Sequence, residues 1–283
     1  MTKLDRRRKY YLILDCETAT LPFVESYEGK LRDKVALSRP LIYDIGWNIV
    51  DRNGNIYKRV NYLINEVFNV PEVFNTAFFK NKRPLYLAKL RNGEIDLANW
   101  NTVAEMLIED MEAVEAVGAY NAMFDYKKAI TFTDAYISHL YDEDFNAWID
   151  MQKRICSKMD KPYKPKSRRE FDGEHFNFRG NNIPLFDLWG LACKHILDSD
   201  EYRAMADENK WYSKSGKYYA TNAESAYRFI SGENDFEEAH TAIDDCDIET
   251  MIFAVIVKRT KNKWEHGIEY FPFKIVGRAP IEE

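Results

Sequence analysis

The chain has 283 residues, 46% hydrophobic and 30% charged, with 46 acidic against 40 basic residues and a net charge of −6. That length and apolar content support one principal domain over 1–283 with a sizeable core, and the acidic balance argues against a general nucleic-acid binder. No apolar run approaches the roughly 18 residues of a membrane span, Met1 to Lys9 leads into a short strand rather than an apolar leader, and Cys16, Cys156, Cys193 and Cys246 lack C-x-x-C spacing; a cytoplasmic protein with no membrane partner, zinc site or disulfide framework is expected.

In chain order, Tyr10 to Leu14 is continuously apolar and β-prone, as a strand buried on both faces is, and it stops at Asp15-Cys16-Glu17-Thr18. Side chains two apart on a strand share a face, so Asp15 and Glu17 point the same way. Two like charges held that close repel unless a cation or a proton intervenes, and a hard ion such as Mg²⁺ or Mn²⁺ is the natural third party. Alone, the pair reads more simply as a solvated strand end. Ile42 to Val50 and Ile56 to Ile64 form a predicted hairpin across Asp51-Arg52-Asn53-Gly54-Asn55, and with the first strand they give an antiparallel meander. Residues 65–100 are expected to lay helices over the sheet, and Thr102-Val103-Ala104-Glu105 has the spacing of a capping box opening a helix to about Glu115.

A further strand, Ala116 to Tyr120, is followed by Asn121-Ala122-Met123-Phe124-Asp125, which puts Asp125 at a strand end where open α/β sheets bind their ligands. Residues 131–184 read as a basic insertion. Within it residues 153–169 hold Lys153, Arg154, Lys158, Lys161, Lys164, Lys166, Arg168 and Arg169 against one acid, Asp160, with Tyr163 and Phe171 interleaved. Two readings of that stretch carry equal weight: a rim that attracts phosphates and stacks bases, or a solvated loop. Thr221-Asn222-Ala223-Glu224 opens a helix to about Ile230. His240 then precedes Thr241-Ala242-Ile243-Asp244, a capping box with Thr241 at the N-cap, backed by an apolar stripe of Ile248, Met251, Ile252, Val255 and Ile256. Asp245 falls in the first turn, where the helix dipole favours a carboxylate. The extension 259–283, with Tyr270 to Val276, is expected to add a strand or pack an edge.

Three segments in this order, Leu14-Asp15-Cys16-Glu17-Thr18, Asn121-Ala122-Met123-Phe124-Asp125 and His240-Thr241-Ala242-Ile243-Asp244-Asp245, resemble the three motifs of the DEDDh 3′–5′ exonucleases, the family of polymerase-proofreading exonucleases and ribonuclease T. The resemblance covers Tyr10 to about Lys258. It implies a ribonuclease H-like α/β fold, a mixed sheet flanked by helices, with the insertion following the second motif. The implied activity is hydrolysis of the terminal phosphodiester at a DNA 3′ end, releasing nucleoside monophosphates; RNA is the alternative substrate, and a weakly active binding or polymerase-accessory module the remoter alternative.

Two divalent ions, Mg²⁺ or Mn²⁺, would be held by Asp15, Glu17, Asp125 and Asp245, with Asp15 bridging both, Glu17 and Asp245 completing one shell and Asp125 holding the other. His240 would take a proton from the attacking water. The same resemblance assigns Thr18 to the terminal nucleotide, although the family's usual Thr-Thr-Gly is here Thr18-Ala19-Thr20, and the basic segment would bring Lys164, Lys166, Arg168 and Arg169 to the backbone. Phe186-Asp187-Leu188 resembles the aspartate-leucine start of the helix after the second motif, with Asp187 structural rather than catalytic.

Overall fold

The computed structural model describes residues 7–20, 40–140, 174–261, 263–264 and 266–280. The fold is α/β. Strands β1 (Tyr10–Thr20), β2 (Pro40–Asp51), β3 (Ile56–Ile64), β4 (Asp96–Ala98), β5 (Ala116–Ala119), β6 (His175–Phe178) and β7 (Asn181–Asp187) form a mixed sheet in the order β4-β3-β2-β1-β5-β7-β6. The meander of β1, β2 and β3 is antiparallel as expected, with Gly54 at φ 79° in its tight turn. β5 pairs parallel with β1, β7 parallel with β5, and β6 antiparallel with β7. The labelled helices are α1 (Arg83–Asn92), α2 (Trp100–Glu112), α3 (Thr131–Leu140), α4 (Leu188–Ala192), α5 (Asp200–Asn209), α6 (Ala223–Ser231), α7 (Ala242–Thr260) and α8 (Phe273–Val276). Among the described residues no helix is long and apolar enough to cross a membrane.

β1 is central, and its alternation divides the interior in two. Leu12, Leu14 and Cys16 join a core with Tyr43, Ile45, Trp47 and the buried face of α2. Tyr11 and Ile13 belong to a second core, built with Phe186, Leu188 and the Ile252, Phe253 and Ile256 face of α7. Every residue from Tyr10 to Leu14 is buried, which is the reason for its unbroken apolar run. The strand does not stop there, however. It continues to Thr20 with a register shift between Glu17 and Thr18, so Asp15 and Glu17 stay in the ladder opposite Gly46 and Asp44.

Several local expectations were displaced by long-range contacts. α2 starts at Trp100, ahead of Thr102, because the Glu66 carboxylate takes the Trp100 N–H. Asn222, not Thr221, is the N-cap of α6, and Glu224 instead accepts from Glu238 N and pairs with Arg228. Thr241 does occupy the N-cap of α7, yet its hydroxyl donates to Asp244, and the buried Asp44 of β2 accepts the Ala242 N–H. In the stripe of α7, Met251 is 49% exposed, and Phe253 and Val257 are buried instead. The 65–100 interval holds the expected helices together with β4, and Tyr270 to Val276 supplies the short helix α8 rather than a strand. Of the interval 131–184, the ends are α3, β6 and the start of β7; residues 141–173 lie outside the described residues.

Candidate metal centre

Asp15 and Glu17 lie on the side of β1 that carries Tyr11 and Ile13, under the start of α7. Gly46, the cross-strand partner of Asp15, makes that approach possible. A Cβ on Gly46 would lie 2.7 Å from Ile243 N and 2.9 Å from Ala242 C, so any other residue would lift the helix off the strand. The contact is locked from both sides: Asp44 Oδ2 accepts from Ala242 N at 3.0 Å, and Cys246 Sγ donates to Gly46 O at 3.1 Å. Lys89 and Arg59 pair with Asp244 on the outer side of the same turn.

Asp125 is aimed by a different device. After β5 the chain turns at Asn121, whose φ of 77° suits asparagine better than most residues. Asp187 Oδ1 accepts the N–H groups of Asn121 and Ala122, while its Oδ2 accepts from Gly190 N at the start of α4. A single buried carboxylate thus ties the two turns together, the structural role expected of Asp187. Asp125, 2% exposed, then opens a π-helical stretch and accepts from Cys16 Sγ at 3.0 Å.

Asp15, Glu17, Asp125, His240 and Asp245 all line one cleft of about 840 Å³. Within it, ligand atoms of Glu17, His240 and Asp245 lie within 4.8 Å of one another. Asp15 and Asp125 share the cleft without belonging to that tight trio. Asp245 Oδ1 is buried and has no hydrogen-bond partner among the described residues, which is costly unless a cation takes the lone pair. An oxygen-rich set with one imidazole suits a hard or borderline divalent ion. Thr18 lies on β1 beside the register shift and does not line the cleft. Lys164, Lys166, Arg168 and Arg169 lie outside the described residues.

The electrostatics fit a site built to receive positive charge. Burial, then the charges of Asp125, Glu249, Asp245 and Glu17, hold Asp15 well above the ordinary carboxylate range. Burial and Asp245 push Glu17 up to about 9. Asp245 rises to about 8 through burial and Glu238, and burial takes Asp125 to about 7. His240 moves the other way, lowered by burial and by the neighbouring Lys82.

Four further side chains carry no local motif: Glu249 and Glu238 line the cleft, and Phe79 and Lys82 contact His240. Glu249, one helical turn beyond Asp245, lines the cleft and accepts from Tyr120 N; the i, i+4 spacing from Asp245 was its available signal. Glu238 Oε2 lies 3.7 Å from His240 Nδ1. Phe79 stacks on the His240 ring at 4.4 Å and 17°, and Lys82 donates to the carbonyls of Ala239 and His240. Together they hold His240, itself at φ 47°. Compared with protein-family models and with curated proteins, the chain matches none.

Proposed function

We propose that the protein is a metal-dependent 3′–5′ exonuclease of the DEDDh type with a ribonuclease H-like fold, hydrolysing the terminal phosphodiester of DNA and working in the cytoplasm. The observation that carries this reading is the convergence in one cleft of five side chains from three segments far apart in sequence, around a buried Asp245 oxygen with no hydrogen-bond partner among the described residues. Asp15, Glu17, Asp125 and Asp245 would hold two divalent ions, Mg²⁺ or Mn²⁺. When bound, such ions supply positive charge against the negative charge that develops on the phosphate oxygens.

The protein's own groups do the rest. His240 accepts the proton of the attacking water, and its lowered pKa keeps the imidazole neutral at neutral pH. Glu238 Oε2 lies 3.7 Å from Nδ1, close enough to favour the imidazolium once the proton has been taken. Phe79 and Lys82 fix the ring and its backbone, so proton transfer needs no reorientation of the histidine. A second reading has His240 as a metal ligand, favoured by its position within 4.8 Å of the Glu17 and Asp245 oxygens.

The test is direct. Purified protein, given matched 5′-labelled DNA and RNA oligomers with Mg²⁺ or Mn²⁺, shortens the DNA from its 3′ end and stops in excess EDTA. Preferential shortening of RNA would make it an exoribonuclease. Strand binding without metal-dependent turnover would leave only the binding or polymerase-accessory role.

A further inference from the structure

His240 stands in the cleft on a segment with no regular structure of its own. Residues 232–241, which join α6 to α7, form neither helix nor strand, and near their end His240 takes a φ of 47°. That left-handed conformation is unfavourable for a residue with a Cβ and persists only where the surroundings hold it. On the carbonyl side the hold is Lys82, which donates to the Ala239 and His240 oxygens. The chain leading into the histidine needs a hold of its own.

Two side chains of α6 supply it. Glu224 Oε2 accepts from Glu238 N at 3.1 Å, Glu224 Oε1 pairs with Arg228 Nη2 at 2.9 Å, and Arg228 Nε donates to Phe236 O at 2.7 Å. The main chain is thereby fixed at both 236 and 238. Tyr227, on the same helix, packs on Phe236 with ring centroids 4.4 Å apart. Glu238, its N–H held in this way, places Oε2 3.7 Å from His240 Nδ1.

A Glu–Arg pair four residues apart ordinarily sits in solvent and supports only its own helix. Here the arginine and glutamate side chains are 17% and 20% exposed. A pair withdrawn from water is unfavourable unless its remaining donors and acceptors are also satisfied, and these are satisfied by the chain that leads to His240 rather than by α6. The position of the helix gives the arrangement its consequence. Its N-cap Asn222 and first residue Ala223 line the cleft, and α6 packs on α7, which carries Asp245. A segment tied to α6 is therefore tied to the carboxylates that His240 faces.

We propose that the Glu224–Arg228 pair of α6 positions His240 in the cleft, so that both are positioning residues for the proton transfer. This deepens, and rests on, the exonuclease reading of the cleft. Arginine suits the task because its planar fork reaches a carboxylate and a carbonyl at once, which the single ammonium of lysine does not reproduce.

The test uses the full chain and the variants Glu224→Ala, Arg228→Lys and His240→Ala. In hydrolysis of a DNA oligonucleotide, Glu224→Ala and Arg228→Lys should each lower kcat roughly 10- to 100-fold, with KM and the half-saturating Mn²⁺ concentration within about twofold of wild type. Combined with His240→Ala, each should change kcat by less than about twofold, because residues that act through one group are not additive. A second measurement needs no turnover. With the five histidines labelled with ¹³C at Cε1, and His240→Ala assigning the resonance that disappears, both α6 variants should shift or broaden the His240 resonance in the metal-free protein and leave the others in place. Arg228→Lys keeps a charge facing Glu224 and carries the test if Glu224→Ala does not fold. Equal losses of kcat with and without His240, or a His240 resonance at its wild-type position in the folded variants, would overturn the inference. Wild type without metal-dependent turnover, but with the resonance displaced in the variants, would remove the nuclease and support the clamp on His240; turnover with the resonance unmoved would do the reverse.

Discussion

Gly46→Ala tests whether the contact between β2 and α7 sets the geometry of the proposed metal centre. The added Cβ would meet Ile243 N at 2.7 Å, Ile243 Cα at 2.8 Å and Ala242 C at 2.9 Å, all of them backbone atoms that cannot swing aside. Ordinary contact begins near 3.4 Å, so the first turn of α7 has to lift by about 0.7 Å. Asp245 rides on that turn and His240 immediately precedes its N-cap, whereas Asp15 stays on β1. Overpacking of this kind costs about 1–3 kcal/mol, and at about 2–4 °C per kcal/mol for a domain near this size the melting temperature falls by roughly 2–12 °C.

Turnover should fall further than stability, because a displacement approaching 1 Å between catalytic groups costs on the order of 10²-fold. The assay is oligonucleotide hydrolysis at several Mn²⁺ concentrations, run beside thermal melts. Gly180→Ala is the control: at φ 86° with open space around it, it strains the β6–β7 turn by about 1–2 kcal/mol without touching the cleft. It should lose stability and keep kcat. A Gly46→Ala protein with wild-type kcat and Mn²⁺ dependence, whatever its melting temperature, would show that the helix position does not set the site.

Three other outcomes are expected. Asp15→Ala or Asp125→Ala should abolish hydrolysis while leaving the metal-free melting temperature unchanged or higher at alkaline pH, since each removes a buried carboxyl whose ionisation burial and its acidic neighbours oppose; full activity in either variant would end the two-metal reading. His240→Ala should slow turnover by about 10²-fold or more and erase the acidic limb of the pH–rate profile with metal affinity nearly intact, and a collapse of metal affinity would make the histidine a ligand. In the metal-free protein Asp125, Asp245 and Glu17 titrate at about 7, 8 and 9, against 3.8 to 4.5 for such groups in an unfolded chain. The folded state therefore holds more protons, and stability should fall as pH rises from about 4 to 9, with Mg²⁺ raising the melting temperature more at pH 8 than at pH 6; a metal-free melting temperature that climbs over that range would contradict it.

The parts of the fold legible in the sequence were those with a local cause. Tyr10 to Leu14 announces a doubly buried strand, the Asn-Gly turn announces the hairpin, and the five candidate residues that share the cleft sit in segments whose ends are marked by apolar runs or a helix start. A local capping pattern does not show an acceptor that comes from far away, as Glu66 does to Trp100 N and Asp44 to Ala242 N, although Thr241 does stand at the N-cap of α7. A capping box describes four residues, and these bonds span 34 and 198. The groups that hold His240 were invisible for the same reason: nothing in a run such as Phe79 to Lys82 says which histidine it will meet. Glu249 differs, since its i, i+4 spacing from Asp245 is readable; it lies beside the apolar stripe, which is buried at Ile248, Ile252 and Ile256 and exposed at Met251.

The packing of α7 across β1 and β2 also bears on how the protein comes to exist. β1 is made first and lies between β2 and β5, yet the carboxylates of Asp15 and Glu17 have no Asp245 beside them until residues 242–260 have been made. At about 5–20 residues per second, translation leaves the two halves of the cluster apart for roughly ten to fifty seconds. Pairings of such long sequence separation are also the slow ones to form. Under the proposed function a growing chain is therefore inactive until α7 has been made, and a product truncated before Ala242 should stay so, since it retains Asp15, Glu17 and Asp125 but lacks His240's neighbour Asp245 and the helix that closes over them.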